Sequence, residues 1–440
     1  MSRRCRYRIG EPLKSLATRP PARVRSVALT GSLLLIGCLS PGPPRYTIGS
    51  WPTTVPAYSP TSGEARLHDA AEFGAAAEAQ RRLTTSDLTI DKDKRGREVA
   101  VYVLKAGEAL YSSVVVRFCG VVDADEVNAR AEQILAFNGL RDPSRIPTGA
   151  RIKIPMELLD DELFDRATPI RRPVPGRALR RDALHVILDA GHGGTDPGTT
   201  VHSWSEDEIA YDVMVRLKAL LQGRGVQVHP LVSDADTGEK PQNGNPIRQN
   251  RNEYVNVTPP YRMEDSRVAL NLRVYLVDDI YRRLRRSGVR DEDIILISLH
   301  LDHLHPSVDG VMVYYPDAAE RPDSYSPAGS VYASYDESRV SSIAYARREN
   351  ELTESYSYEF ATKVISASRS LRVPVHQYQP IRRFVYRSGR KWTPGIIHYS
   401  RVRTSVLIEA ANLANGGDFR RIRSKDFRQR IADAIARAVL

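Results

Sequence analysis

Cysteine is scarce in this 440-residue chain, which has three: Cys5, Cys38 and Cys119. The first two fall within the first forty residues, so Cys119 stands alone in the remainder as a free buried thiol, and a disulfide framework is excluded. Long apolar runs are missing too. No stretch after the first forty residues approaches the roughly 18 uninterrupted apolar residues of a spanning helix, which excludes a multi-span membrane protein. Acidic excess is also absent, since the formal net charge is +11. A basic balance usually invites a nucleic-acid reading. Here it is local: residues 1–25 hold eight bases and one acid, so +7 of the +11 sits there, and residues 26–37 are uncharged. No nucleic-acid partner is expected.

What is present at the start is a basic stretch, then the apolar run "SVALTGSLLLIG" from Ser26 to Gly37, then Cys38. That order reads as an export signal, too short to span as a stable helix. The ending "LIGC", Leu35 to Cys38, resembles a bacterial lipoprotein signal. The resemblance implies lipidation of Cys38 and a lipid anchor in the cell envelope or periplasm, at the outer membrane if there is one. Residues 39–62 are rich in Pro, Ser, Thr and Gly and read as a linker. Residues 63–98 are Ala-, Arg- and Glu-rich and read as partly helical.

A small module follows at residues 99–157. Its pieces are a strand, a turn at Gly107, an apolar helix near Leu110–Phe118, a second helix ending near Asn138, and the strand "ARIKIP". It resembles a LysM domain, matching that family's pattern at Tyr102, Gly107, Leu110, Asn138, Ile146, Gly149, Ile152 and Pro155. It departs with Glu108 for the usual Asp and with a longer middle. The resemblance implies a βααβ unit that binds N-acetylglucosamine-containing glycans.

Residues 158–182, with "RRPVPGRALRR", read as a second linker. From residue 183 to 440, short apolar strands alternate with helices. Strands are expected at "LHVILDA", "VQVHPLV", "IILISL", "GVMVYY" and "SVLIE". Helices are expected at Asp207–Leu221, near Asp265–Arg286, near Tyr358–Ser370 and near Asp426–Val439. This alternation predicts an α/β fold, a doubly wound and largely parallel sheet flanked by helices. The stretches 233–264 and 316–351 exceed ordinary connections and read as insertions, candidates for a lid or for partner contacts.

Ligands of open α/β sheets bind beyond the carboxyl ends of the strands. His192 follows "VILDA", His300 follows "IILISL", and Glu409 ends "SVLI", so three side chains able to bind metal or move protons converge on one sheet edge. Zinc at a catalytic site takes three protein ligands and keeps a position open. His192 and His300 supply two. Glu206, at the start of a helix, is a third, with Glu208, His303 and His305 as rivals. The glycines of "LDAGHGGTDPG" do not form a dinucleotide fingerprint, because Asp196 and Pro197 stand where the last glycine and the helix should be. They read instead as a tight loop around His192.

Residues 184–440 further resemble the zinc-dependent N-acetylmuramoyl-L-alanine amidases of the Amidase_3 family, through "DAGHGGTDPG", "EDEIAYDVMVRLKALL", "RVALN", "SLHLDH" and "LIEAANLAN". The resemblance implies one Zn2+ held by His192, Glu206 and His300, with Glu409 as the catalytic glutamate. It also implies peptidoglycan as substrate and an activator protein as a possible partner. Asp189 is a candidate to orient a ligand from behind. The chain departs from the family pattern at Asp207 (usually Lys), Asp302 (usually Asn) and Ala411–Asn412 (usually Gly-Phe). A catalytically inactive wall-binding or regulatory protein on the same fold is the alternative reading.

Overall fold

The computed structural model describes residues 87–160 and 183–440, all within one unit, Gly49–Leu440. The expected export signal with Cys38, the linker 39–62, the stretch up to residue 86 and most of the connector 158–182 lie outside the described residues.

The N-terminal module is built from β1 (Leu88–Lys92), β2 (Glu98–Val103), a helical turn over Leu110–Val116, α1 (Ala124–Phe137) and β3 (Arg151–Pro155). Its three strands pair antiparallel in the order β1-β2-β3. The second helix and the last strand fall where the sequence puts them, whereas β1 is additional and replaces part of the expected helical stretch. It reads LTIDK and is largely exposed, Ile90 included, so its single alternation of Leu88 and Ile90 is too short to betray a half-buried strand. Val115, Phe118, Ile134 and Ile154, all fully buried, form the core. The Asn138 side chain donates to the Ile134 and Lys153 carbonyls at 2.7 Å and accepts from Lys153 N at 2.8 Å, clamping the end of α1 to β3. Glu108 accepts from Tyr102 Oη at 2.6 Å and Lys105 N at 2.8 Å, so the longer acid still closes the turn. Cys119 is free and buried, and burial pushes its thiol up to about 12.

The larger region carries a six-stranded sheet. Its strands are β4 (His185–Ala190), β5 (Gln227–Pro230), β9 (Ile294–Asp302), β10 (Met312–Tyr314), β11 (Ile381–Arg382) and β12 (Thr404–Asn412). Between β5 and β9 the chain forms a separate small antiparallel sheet of β6 (Val232–Asp234), β7 (Glu253–Val255) and β8 (Tyr261–Arg262). The large sheet runs β11-β10-β12-β9-β4-β5, parallel except where β10 meets β12. The mixed α/β architecture with a mostly parallel sheet is therefore the one the alternation predicts. Helices α2 (Glu206–Gln222), α4 (Arg347–Ser370) and α5 (Lys425–Val439) pack together on the sheet. The connection from β5 back across β4 to β9 runs through α3 (Ser266–Arg286); a right-handed crossover sets α3 on the opposite face. Helix α4 begins eleven residues before the expected position. Its first turns, "RRENELTESYS", bury Asn350, Thr353 and Glu354 rather than apolar residues, so hydropathy alone understates it and the second insertion ends near residue 346.

Arg428 of α5 is the largest fully buried side chain. Its Nε lies 2.6 Å from Asp212 Oδ2 of α2, and its other nitrogens donate to the carbonyls of Ile422, Arg423 and Gln242. Asp212 keeps Arg216 at 2.9 Å, but Arg428→Ala takes a donor from three carbonyls and opens a cavity, so it is expected to lower the unfolding free energy by about 2–4 kcal/mol, read from urea denaturation.

The module is not free of the larger region. His305 N donates to Val122 O at 3.0 Å, and Arg382 Nη1 donates to Gly120 O at 2.8 Å. Gly389 N donates to Glu126 at 2.6 Å, and the rings of Tyr111 and His305 stack 4.8 Å apart.

Candidate active site

Strand register builds the site. Strands β4, β9 and β12 are adjacent and parallel; Leu299 pairs with Ala190 and His300 with Glu409. Residues just past β4 and at the ends of β9 and β12 therefore share one edge. Helix α2 starts there as well. Its first turn is acidic, with Glu206, Asp207 and Glu208, favourable beside a helix N-terminus.

His192, Glu206 and His300 come together, each offering a ligand atom within 4.8 Å of the others. His192 Nε2 lies 3.2 Å and His300 Nδ1 2.9 Å from the same oxygen, Glu206 Oε1. The two imidazoles meet edge to face at 5.1 Å. Glu206 is buried and tied to the fold, its Oε1 accepting from Leu301 N and its Oε2 from Thr199 N. Burial would raise its pKa, but hydrogen bonds and charge from His192 and His300 hold the carboxyl well below its usual range. Burial would likewise lower the His192 imidazolium, yet Asp196 and Glu206 carry it up to about 10. Two histidines with one carboxylate form a donor set that suits zinc with a position left open.

Glu409 sits beside His300 with its Oε2 buried and without a hydrogen-bond partner. Burial, then the charges of Asp302 and Glu206, push its carboxyl well above the ordinary value. Asp302 Oδ2 is likewise buried and unpartnered, its carboxyl raised to about 8 by burial and Glu206.

The rivals go elsewhere. His303 is exposed. His305 bonds to Ser307 and stacks on Tyr111. Glu208 bonds to Asn250 at 2.6 Å. Asp189 touches neither histidine ring: it accepts from Ser298 Oγ at 2.7 Å and lies 3.2 Å from Arg273 Nε. Arg273 in turn donates to the carbonyls of His192 and Ala190, so Asp189 braces the loop backbone. The carboxylate that meets the His192 ring is Asp196, 3.0 Å from Nδ1. A carboxylate there fixes a ligand's tautomer and orientation. Sequence reasoning passed over Asp196 because it was counted as a fingerprint mismatch; its signal is an acid four residues after a histidine within one tight turn.

The glycines have a steric reason. A Cβ on Gly191 would lie 2.1 Å from the His300 ring, and one on Gly198 would lie 2.6 Å from Glu206 Oε2. His192 itself has φ 61°, a conformation that non-glycine residues adopt at a cost and that clusters at functional sites. Gly191→Ala is expected to fold but to displace His300, with tenfold or greater loss of metal affinity measured by competition with a chromogenic chelator.

The first insertion is no free lid. Glu253 accepts from Gly194 N at 2.7 Å, and Met263 O accepts from Thr195 N at 2.9 Å, so it packs directly on the glycine loop. The second reaches it through Glu337, which accepts from Thr258 N at 2.9 Å, and braces α3 through Tyr325 and Tyr332 on Asn271.

A two-histidine, one-carboxylate cluster beside a glutamate, at the strand ends of an α/β sheet, is an arrangement that could hold a metal ion for hydrolysis. Residues 186–440 match the family described as N-acetylmuramoyl-L-alanine amidase, and the chain belongs to it. Membership supports amidase activity on peptidoglycan and a role outside the cytoplasm. Among solved structures the chain is similar to the N-acetylmuramyl-L-alanine amidase Ami1 from Mycobacterium smegmatis (16% identity, 58% of this chain and 94% of that one, TM-score 0.35). It is also similar to the amidase AmiC2 of Nostoc punctiforme (16%, 60% and 97%, 0.33) and to an amidase from Clostridium difficile 630 (16%, 59% and 95%, 0.34). No curated protein matches the sequence.

Proposed function

We propose that the protein is a zinc-dependent N-acetylmuramoyl-L-alanine amidase, hydrolysing the amide between N-acetylmuramic acid and the L-alanine of the stem peptide. The observation that carries the proposal is the convergence of His192, Glu206 and His300 within 4.8 Å, with Glu409 paired to His300 across the sheet. His192, Glu206 and His300 would hold the ion, and Asp196 would keep the His192 ring in place. Bound zinc supplies Lewis acidity toward a carbonyl oxygen and lowers the pKa of a coordinated water to about 7. Glu409 removes the proton from the attacking water as general base and delivers it to the departing alanine nitrogen. A carboxyl raised by burial holds more firmly the proton it must carry to the departing nitrogen. Arg273 and Asp189 keep the His192 loop against the sheet edge.

The N-terminal module, in this reading, is a LysM-type domain that grips N-acetylglucosamine-containing strands and raises the local substrate concentration. Export and lipidation at Cys38 would place the enzyme at the wall, where an activator protein is a further partner.

The test uses protein from residue 39 onward, because the module packs on the catalytic region. Digestion of purified peptidoglycan should release new L-alanine amino termini, stop on chelation and resume with added Zn2+. New amino termini on another residue, or new reducing sugar ends, would overturn the bond assignment. One bound zinc without cleavage would favour an inactive wall-binding protein.

A further inference from the structure

One residue further along α2, three more carboxylates meet. Asp207, Glu208 and Glu253 are only 3%, 3% and 5% exposed, and each offers an oxygen within 4.8 Å of the others. They come from two elements, the first turn of α2 and strand β7 of the first insertion. Each spends one oxygen on the fold. Asp207 Oδ1 accepts from Glu208 N at 2.8 Å, Glu208 Oε1 accepts from Asn250 N and Nδ2 at 2.6 and 3.1 Å, and Glu253 Oε2 accepts from Gly194 N at 2.7 Å. Asp207 Oδ2 is buried and makes no well-formed hydrogen bond. Ser205 Oγ, two residues earlier, is buried and makes none either. Asn250 also donates to the buried Asp234, at 2.9 Å, which draws a fourth carboxylate into the neighbourhood.

Among the described residues, no lysine or arginine forms an ion pair with Asp207, Glu208 or Glu253. Carboxylates taken out of water need a cation or a full set of donors, and here the donors run out at Asp207 Oδ2. The ligand atoms are all oxygens, which favours a hard cation. Calcium takes oxygens at about 2.3–2.6 Å and tolerates irregular shells, so two of its bonds span nearly 5 Å; magnesium demands a tighter octahedron of about 2.0–2.1 Å bonds. We propose that Asp207, Glu208 and Glu253 form a second metal site that binds Ca2+ and fastens the first insertion to the start of α2. Through Glu253 and Gly194, the same ion steadies the loop that carries His192.

The proposal does not depend on the amidase reading, because its readout is binding. Chelator-stripped protein is saturated with zinc, then titrated with CaCl2 by calorimetry and followed by thermal melting. One Ca2+ per chain is expected, with a rise in Tm of about 5 °C at saturation. The double variant Asp207→Asn, Glu208→Gln should lose calcium binding while still taking up zinc. His300→Ala should keep calcium binding while losing the other ion. Asp207→Lys supplies the positive charge within the chain, so its fold, checked by circular dichroism, should be retained and its Tm should no longer respond to calcium. Absence of heat and of any Tm change up to about 10 mM calcium would overturn the proposal. Calcium binding that survives the double variant, or that vanishes with His300→Ala, would overturn it too.

Discussion

Glu409→Gln should cut the release of alanine amino termini by about a thousandfold, within the range that general acid–base catalysis contributes, while zinc content stays at one ion per chain. Glutamine keeps the shape and one oxygen but can neither take a proton from water nor return it to an amine. The position tolerates the change structurally: Glu409 lies within β12 after Val406 to Ile408, which are at most 2% exposed, and its Oε2 has no partner to lose. Metal analysis and quantification of new amino termini on the same preparation make the check. Activity within tenfold of the unmodified protein would shift the base to Asp302, the other buried carboxylate at that edge with an unpartnered oxygen.

His300→Ala should have the larger effect on the ion itself. His300 Nδ1 and His192 Nε2 share Glu206 Oε1, so the variant removes one of three donors and leaves a wide gap on the open side. Loss of an outer-shell partner costs a metal site about 10–100-fold; loss of a ligand should exceed that, leaving zinc below stoichiometry after dialysis and no measurable cleavage. Retained stoichiometric zinc would show that the ion sits elsewhere, with the Asp207 cluster as the first alternative.

Much of this arrangement is legible in the sequence because of where apolar runs stop. The runs ending before His192, at His300 and at Glu409 are buried parallel strands, and parallel strands bring their carboxyl ends together whatever their separation along the chain. The start of α2 is equally readable from its acids and its apolar face. What resists reading is set by tertiary contacts. Strand β1 is short, leaves Ile90 exposed and exists because β2 offers it an edge. Strand β11 has two residues and follows a helix whose first turns bury Asn350, Thr353, Glu354, Ser355 and Ser357. Asp189 looks like a support for a ligand, yet its partners Ser298 and Arg273 lie more than eighty residues away. The acid that meets His192 Nδ1 is Asp196, from within the glycine loop.

The contacts that join the N-terminal module to the larger region bear on how such an enzyme would travel over its substrate. Four hydrogen-bonded or stacked junctions, at Tyr111, Gly120, Val122 and Glu126, hold the module against residues 305, 382 and 389, and His305 lies five positions beyond His300. A grip and a blade mounted this way cannot roam independently like beads on a string. On the proposed function they would act as the two jaws of a caliper, so a glycan strand seized by one jaw would present to the other only those stem peptides that fall at one set interval along it.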